Sequence, residues 1–208
     1  MGIPFFLVVV VAGAIVLNIA SSATRTKDKK KIEDFLAEQN DITIVPRTKL
    51  EEINFIKCDI SRIKFEPTGE DTKEQIDNLL NLSHSKLANF KGVTNQQLKK
   101  TYGNNNFDEV LSYQNNYDEL LKSLVYTAEL LSRDGDDKSA ISLLQTSISL
   151  GNDVTKNYTL LADLYSKNKM RKEMFSLIDD VKENKEISQA KIMNHISSLQ
   201  KGKHKGNK

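Results

Sequence analysis

Three carboxylates beside one glycine come closest to a chemical site in this sequence. Asp134, Asp136 and Asp137 flank Gly135. Calcium loops also use closely spaced carboxylates, but they require a bidentate Glu further along, and this stretch lacks one at that spacing. A tight turn followed by a helix that Asp caps explains the same residues. We therefore predict a turn here rather than a metal site.

Cys58 is the only cysteine, which excludes an internal disulfide. Its neighbours Lys57 and Arg62 would favour a thiolate, but neither a base nor a second Cys accompanies it, so we expect a small apolar side chain that is buried or partly buried. The histidines are scattered along the chain: His84, His195 and His204. Motifs typical of phosphate loops, nucleophile elbows and zinc helices are missing. The sequence thus predicts no enzyme activity, cofactor, metal or small-molecule substrate.

Charged residues recur at an interval of 34 positions in the second half of the chain. The recurrences are Lys122 with Lys156, Glu129 with Asp163, and Arg133 with Lys167. On helices these side chains would form a surface striped with both signs of charge, which suits an extended or helical protein segment of mixed charge. Composition offers an alternative, because solvent-facing helix positions commonly carry Lys and Glu whether or not a partner binds.

The overall composition indicates one modest domain with an appendage. The chain has 208 residues, of which 38% are hydrophobic, and it has no Trp. Thirty basic side chains face 28 acidic ones, giving a net charge of +2. Because this balance lacks the basic footprint of nucleic-acid-binding proteins, we predict no nucleic-acid partner.

Residues 3–23, "IPFFLVVVVAGAIVLNIASSA", contain no charged side chain. As a helix they would be about 31 Å long, which matches the hydrocarbon core of a bilayer. A signal peptide cleaved after Ala23 is the alternative, but the basic residues that normally precede its apolar core are missing. We predict a transmembrane anchor over residues 1–24.

A basic cluster follows the apolar stretch: Arg25, Lys27, Lys29, Lys30 and Lys31. Basic flanks stay on the cytoplasmic side, so we expect a single-pass cell-membrane protein with its N-terminus outside and its C-terminal domain cytoplasmic. The cluster would contact anionic headgroups, or it would act only as a stop-transfer flank without lipid specificity.

Residues 25–67 form a juxtamembrane segment and linker whose fold the sequence leaves open. The stripe from Ile53 to Ile63 fits either a helix or a strand. "EPTGED", residues 66–71, marks the boundary with a helical domain over residues 68–200. Residues 201–208 are basic and contain Gly, so we expect a disordered tail.

Several helices are predicted inside that domain. One apolar face runs from Ile76 to Phe90 and ends at Gly92, and a short helix over 95–102 is closed by Gly103. Asn106 and Asn116 each precede a Glu by three residues and apolar periodicity, which indicates two helix starts.

Two stretches related by the same interval carry large and small residues in the same places. Leu124 corresponds to Tyr158, Ala128 to Ala162, Leu131 to Tyr165 and Leu144 to Ile178. With Ala140 and the turn residue Gly135, they resemble the tetratricopeptide repeat, a helix–turn–helix unit whose length equals that interval. The second unit departs from that pattern, with Met174 in place of Ala and Lys169 in place of the turn Gly.

The resemblance implies an α-solenoid of antiparallel helix pairs, with repeat units near 121–153 and 155–184 and a capping helix over 187–199. In such a stack the first helix of each unit lines a partner-binding groove, which places the six recurring charged residues there. We expect Tyr126, Tyr158 and Tyr165 in the core rather than in that groove.

The sequence therefore predicts a mainly α protein: an N-terminal transmembrane helix followed by a tetratricopeptide-like domain that acts as a protein–protein interaction scaffold. The uncharged N-terminal span, the Lys-rich flank, "KGVTNQQLKKTYG" (residues 91–103) and "NYTLLADLY" (residues 157–165) together resemble an uncharacterised group of single-span bacterial proteins. Two alternatives stay open. One is a structural subunit of a membrane complex that uses the span and the juxtamembrane stripe Ile53–Ile63 as a helix, and the other is an exported helical-repeat protein.

Overall fold

The computed structural model describes residues 48–205, with side chains described for residues 48–201. Within that range the protein is mainly α, as predicted, with seven α-helices, two short 3-10 segments, one isolated β-bridge and no β-strand. The α-helices are α1 (Glu70–Ser83), α2 (Asn95–Tyr102), α3 (Phe107–Asp134), α4 (Asp137–Ser149), α5 (Thr155–Lys167), α6 (Arg171–Glu183) and α7 (Gln189–Lys205).

None of the helices in this range is both long and apolar enough to span a membrane. The predicted anchor over residues 1–24, and the basic cluster that follows it, lie outside the described residues.

The described residues divide into two compact units, and the smaller comprises residues 48–50 and 93–107. It contains α2, whose first turn is closed by a capping box: the Gln97 backbone N–H donates to the Thr94 hydroxyl (3.2 Å), and the Thr94 backbone N–H donates to the Gln97 side chain (2.8 Å). Gly103 ends the helix with φ 83°. The predicted helix over 95–102 is thus confirmed.

The larger unit comprises residues 51–92 and 108–205. Its first part runs from Ile53 to Gly69 without a helix. One isolated antiparallel β-bridge pairs this part with the chain after α1: the Ile56 N–H donates to the carbonyl of the fully buried Leu87 (2.8 Å). Of the two structures that the sequence left open for Ile53–Ile63, neither a helix nor a strand forms.

Two tight turns connect consecutive helices of the larger unit, and they are separated by the same interval as the recurring charges. Gly135, between α3 and α4, has φ 94°, and Lys169, between α5 and α6, has φ 59°. Asp136 then caps α4, because its carboxylate accepts the Ser139 backbone N–H (3.1 Å). The turn and cap predicted from the aspartate cluster are confirmed.

The core of the larger unit lies among α3 to α7. Helix α5 packs against α4, α6 and α7, and α6 also packs against α7. Ala128, Ala140 and Ala162 are fully buried, and such small side chains allow helix backbones to approach closely. The large buried residues around them include Leu124, Leu131, Leu143, Leu144, Tyr158, Leu161, Tyr165, Leu177, Val181, Ile192 and Ile196.

Two predicted helix boundaries are wrong. The apolar face to Phe90 is not one helix, because α1 ends at Ser83 and the extended bridge at Leu87 forces the chain out of helical geometry. Asn116 does not begin a helix but lies inside the 28-residue α3, where its amide donates to the Lys86 carbonyl (3.2 Å) instead of capping. Asn106, by contrast, directly precedes the observed start of α3.

Three smaller differences concern the far part of the chain. Tyr158 and Tyr165 are buried as expected, but Tyr126 is 51% exposed, so its predicted core position is wrong. The capping helix predicted over 187–199 is α7, which begins two residues later, at Gln189. It continues to Lys205 and so enters the stretch predicted to be disordered.

Candidate functional site

A surface pocket of about 420 Å³ lies between α3 and the beginning of α5, and we call it the α3–α5 pocket. It is lined by Asp118, Leu121, Lys122, Val125, Tyr126, Glu129, Asn152, Asp153, Val154 and Lys156. Each of the α3 residues has another of them three or four positions away, so they form one continuous stripe of that helix. Three of the six predicted groove residues therefore meet in one concave site: Lys122, Glu129 and Lys156.

The apolar part of this pocket is unusually open to solvent. Tyr126 is 51% and Val154 is 53% exposed, whereas Val125 beneath them is buried. Isolated exposed apolar side chains are common, but here the exposed Tyr126 and Val154 side chains line one concave surface together with Val125. Such a surface is suited to covering an apolar side chain of a partner.

Both signs of charge surround that apolar surface. The Lys156 ammonium lies 2.7 Å from the Glu129 carboxylate, with side chains 58% and 34% exposed, so this ion pair links α5 to α3 at the surface. Lys122 lies 3.8 Å from Glu119, one turn earlier on α3, and stays 75% exposed. Exposed pairs of this kind contribute only about 0–1 kcal/mol to stability, so a partner could replace them at little cost.

The buried Asn152 holds the loop that brings Val154 to the pocket. Its amide nitrogen donates to the Leu121 carbonyl (3.3 Å) and to the Ser147 hydroxyl (2.8 Å). Its amide oxygen accepts the Val154 backbone N–H (3.0 Å). One side chain therefore ties the pocket edge to α3 and α4, which fixes the position of Val154 before any partner arrives.

Two further contacts hold the same loop from outside the pocket. The Tyr117 hydroxyl donates to the Leu150 carbonyl. The Lys91 ammonium lies 2.7 Å from Asp153 and 2.9 Å from Glu186, and these hydrogen bonds raise the pKa of Lys91 above its ordinary value. Lys91 is consequently positively charged throughout the physiological range, and it neutralises part of the acidic charge beside the pocket.

The other three predicted groove residues lie elsewhere. Arg133 is exposed at the end of α3, 3.5 Å from Asp134. Asp163 lies 2.7 Å from His195 of α7. Lys167 lies 2.8 Å from Asp137 at the helix turns. These three recurring charges therefore do not line the α3–α5 pocket, and each of them pairs with a residue outside it.

The pair of Asp137 with Lys167 changes the pKa of the Asp137 carboxyl. Burial alone would raise the pKa of its carboxyl, but hydrogen bonds from Lys167 (2.8 Å) and Asn168 (2.9 Å) outweigh that effect and lower the pKa below its ordinary value. The pair thus joins the α3–α4 turn to the α5–α6 turn and has a structural role.

Cys58 is buried, as expected. Burial raises the pKa of its thiol to about 11, with a smaller contribution from the adjacent Asp59 carboxylate. A thiol with so high a pKa is a poor nucleophile at neutral pH. The basic neighbours Lys57 and Arg62 therefore do not activate it.

Sequence patterns alone did not identify Asn152, Val154 and Tyr126 as parts of a site. Asn152 stands where the repeat pattern usually has Pro at the end of a unit, which by itself does not indicate a site. Tyr126 fits a core interpretation as well as a surface one. Val154 carried the one available signal, a branched apolar residue directly before a helix, where a polar cap is the usual choice.

The described part of the chain is thus a mainly α protein with a pre-formed surface pocket of mixed polarity. The chain matches no protein-family model, no curated protein and no solved structure.

Proposed function

We propose that this protein is a membrane-anchored interaction scaffold that binds a segment of a protein partner in the α3–α5 pocket. The bound segment would place an aromatic or aliphatic side chain against Tyr126, Val125 and Val154, and it would carry acidic and basic residues on either side. Lys122, Glu129 and Lys156 would pair with those charges.

The observation that carries this proposal is the open apolar surface inside a charged rim. The apolar centre and polar rim that protein interfaces display occur here on a small scale, with the exposed Tyr126 and Val154 side chains at the centre. The loop bonds of Asn152 mean that little order has to be created on binding. Pre-organisation of this kind lowers the entropic cost of association.

We also propose that α3 to α6 form two tetratricopeptide-like units. Supporting features are the burial of Ala128 and Ala162, which occupy equivalent positions in the two units, and the positive φ of Gly135 and Lys169 at the equivalent turns. Similar positions in the two units thus share burial and backbone conformation. Helix α7 covers α5 and α6 as a capping helix would.

Membrane attachment is the third part of the proposal, and its support lies in the sequence. The uncharged stretch over residues 3–23 and the basic cluster after it favour a single span with the helical domain on the cytoplasmic side. Attachment would confine the pocket to the membrane surface and raise its effective concentration for partners located there.

Selection of peptides displayed on phage against the full-length protein tests the pocket. We expect selected peptides to share an apolar anchor flanked by both charges, and to lose binding when Tyr126→Ser and Val154→Asp are combined. Asn81→Asp, an exposed change on α1, is the matched control and should leave binding intact. Peptides that bind the pocket variant as well as the unchanged protein would refute the assignment.

A further inference from the structure

A second and larger depression lies where α5 ends and α6 begins, beside the distal part of α7. Its volume is about 1240 Å³, and it shares no lining residue with the α3–α5 pocket. We call it the basic pocket because its charged lining residues are Lys167, Lys169 and Arg171. Small-molecule sites occupy roughly 300–1,000 Å³, so this volume suits several residues of a peptide better.

The charge of the basic pocket is one-sided. Lys167 is paired with Asp137, but Lys169 and Arg171 form no ion pair with any residue in the range 48–201. The N-cap residue of α6, Met170, makes no side-chain hydrogen bond to the first turn, so the partial positive charge of the helix terminus adds to the same sign. The charged residues of the pocket lining therefore favour carboxylates, although Glu173 in the first turn of α6 carries the opposite charge.

The interior of the basic pocket is apolar and adaptable. Phe175 is 63% exposed, which makes it the most exposed of the large hydrophobic side chains of residues 48–201. Met170 and Met174 lie beside it. Methionine side chains adjust to partners of different shape, because they are unbranched and polarisable.

The backbone at Lys169 is a separate observation. Its φ of 59° is a conformation that glycine adopts without strain, and the equivalent turn between α3 and α4 has glycine there. This position nevertheless carries a lysine, and it is one of the residues that line the basic pocket. Strained non-glycine residues often occur where the side chain has a role.

We propose that the basic pocket binds an acidic, amphipathic segment of a partner protein, with an aromatic or aliphatic side chain against Phe175, Met170 and Met174 and carboxylates on Lys169 and Arg171. A flat bilayer cannot enter a concave site. A free phosphate would leave the apolar interior uncovered, so an acidic peptide fits both features.

Fluorescence anisotropy with the full-length protein tests this assignment. The probe is a labelled synthetic peptide with Phe and Leu at helical spacing between Asp and Glu residues. One comparison peptide replaces its acidic residues by Lys, and another replaces Phe and Leu by Ser. We expect only the first peptide to bind with appreciable affinity, and its affinity to fall as salt is raised.

Variants locate the site. Lys169→Glu with Arg171→Glu should weaken binding roughly tenfold or more, and so should Phe175→Ser, because charge and apolar contact each contribute. Lys185→Glu with Lys191→Glu changes the net charge equally at exposed positions outside the pocket and should have little effect. Far-UV circular dichroism verifies that each variant is folded.

Each of several results would overturn the proposal. Equal binding of the acidic peptide without Phe and Leu would mean that charge alone is recognised. Binding that survives both pocket variants would place the site elsewhere. If the peptide does not bind, two other occupants of the basic pocket are tested. Sedimentation with vesicles containing phosphatidylserine that is lost in the Lys169→Glu, Arg171→Glu variant would assign the pocket to a lipid surface. Concentration-dependent self-association that is lost in that variant would assign it to a second copy of the chain. Tyr126→Ser with Val154→Asp should not affect this peptide, so the two pockets are tested separately.

Discussion

Exchanging the residue types at the two helix turns should change stability in opposite directions. Both turns have a left-handed backbone, with φ 94° at Gly135 and φ 59° at Lys169. The α3–α4 turn has glycine, which tolerates this conformation, whereas the α5–α6 turn has lysine, which does not. The left-handed conformation costs a non-glycine residue roughly 1–2 kcal/mol. Glycine avoids this cost but loses about 0.4–1 kcal/mol more entropy on folding. Lys169→Gly should therefore stabilise the fold by about 0.5–1 kcal/mol.

Gly135→Ala is the reciprocal change. No atom lies within 4 Å of a Cβ added at Gly135, so steric contact contributes nothing and the backbone conformation alone sets the cost. The same two contributions, about 1–2 kcal/mol of left-handed strain less about 0.4–1 kcal/mol of unfolded-state entropy, predict a loss of roughly 0.5–1 kcal/mol in the free energy of unfolding. The two changes test the same cause, the left-handed backbone conformation, at two positions. Agreement between them would therefore not depend on the packing around either residue.

Urea unfolding of the full-length chain, followed by far-UV circular dichroism, measures both effects. In a thermal scan, about 1 kcal/mol corresponds to a shift of roughly 2–4 °C in Tm for a chain of this size. Lys169→Gln is the matched control, because it removes the charge but keeps the backbone strain, and it should match the unchanged protein. Were Lys169→Gly no more stable than Lys169→Gln, backbone strain would not be the difference between the turns.

Four further outcomes are expected. Asn152→Ala should lower the free energy of unfolding in urea by about 2 kcal/mol, because it leaves three hydrogen-bond partners of the amide unsatisfied. It should also weaken the binding of peptides selected by the α3–α5 pocket. Unchanged stability would refute the loop's dependence on this side chain. Ala162→Leu should cost about 1–3 kcal/mol by overpacking the core, whereas Ala190→Leu at an exposed position of α7 should have little effect; equal effects would argue against close helix contact at Ala162. Cys58 should react with iodoacetamide at pH 8 roughly 100-fold more slowly in the folded protein than in urea, because its folded pKa of about 11 lies two units above the ordinary value; similar rates would contradict its burial. The lowered pKa of Asp137 implies a contribution to stability that is present above the ordinary pKa of 3.8 and is lost as the pH falls below it. Asp137→Asn should therefore flatten the acid limb of a curve of unfolding free energy against pH. An unchanged limb would count against the Lys167 pair.

The parts of the fold that the sequence predicts are those set by local chemistry. A Thr-to-Gln capping box and Gly103 bound α2, and Gly135 with Asp136 sets the turn into α4, so short-range patterns sufficed there. Helix α1 and the interior of α3 depended on distant partners instead. The Ile56–Leu87 bridge ends the helical run at residue 83, and the Lys86 carbonyl engages Asn116, and neither pairing follows from residues adjacent in sequence.

The candidate sites were only partly predictable for a similar reason. Recurring charge on α3 and α5 pointed to Lys122, Glu129 and Lys156, but the same pattern included Arg133 and Asp163, which pair with other residues outside the pocket. A periodic pattern fixes which helix face a residue occupies, whereas packing decides whether that face stays open.

Lys169 connects stability with the proposed binding. If only folding mattered, glycine would serve better there, as Gly135 does in the preceding turn. Within the described residues Lys169 forms no ion pair that would offset this cost. Lys169 instead lines the basic pocket, as does the exposed Phe175. A carboxylate bound in the basic pocket, as proposed above, would give the Lys169 side chain a role that glycine cannot fill.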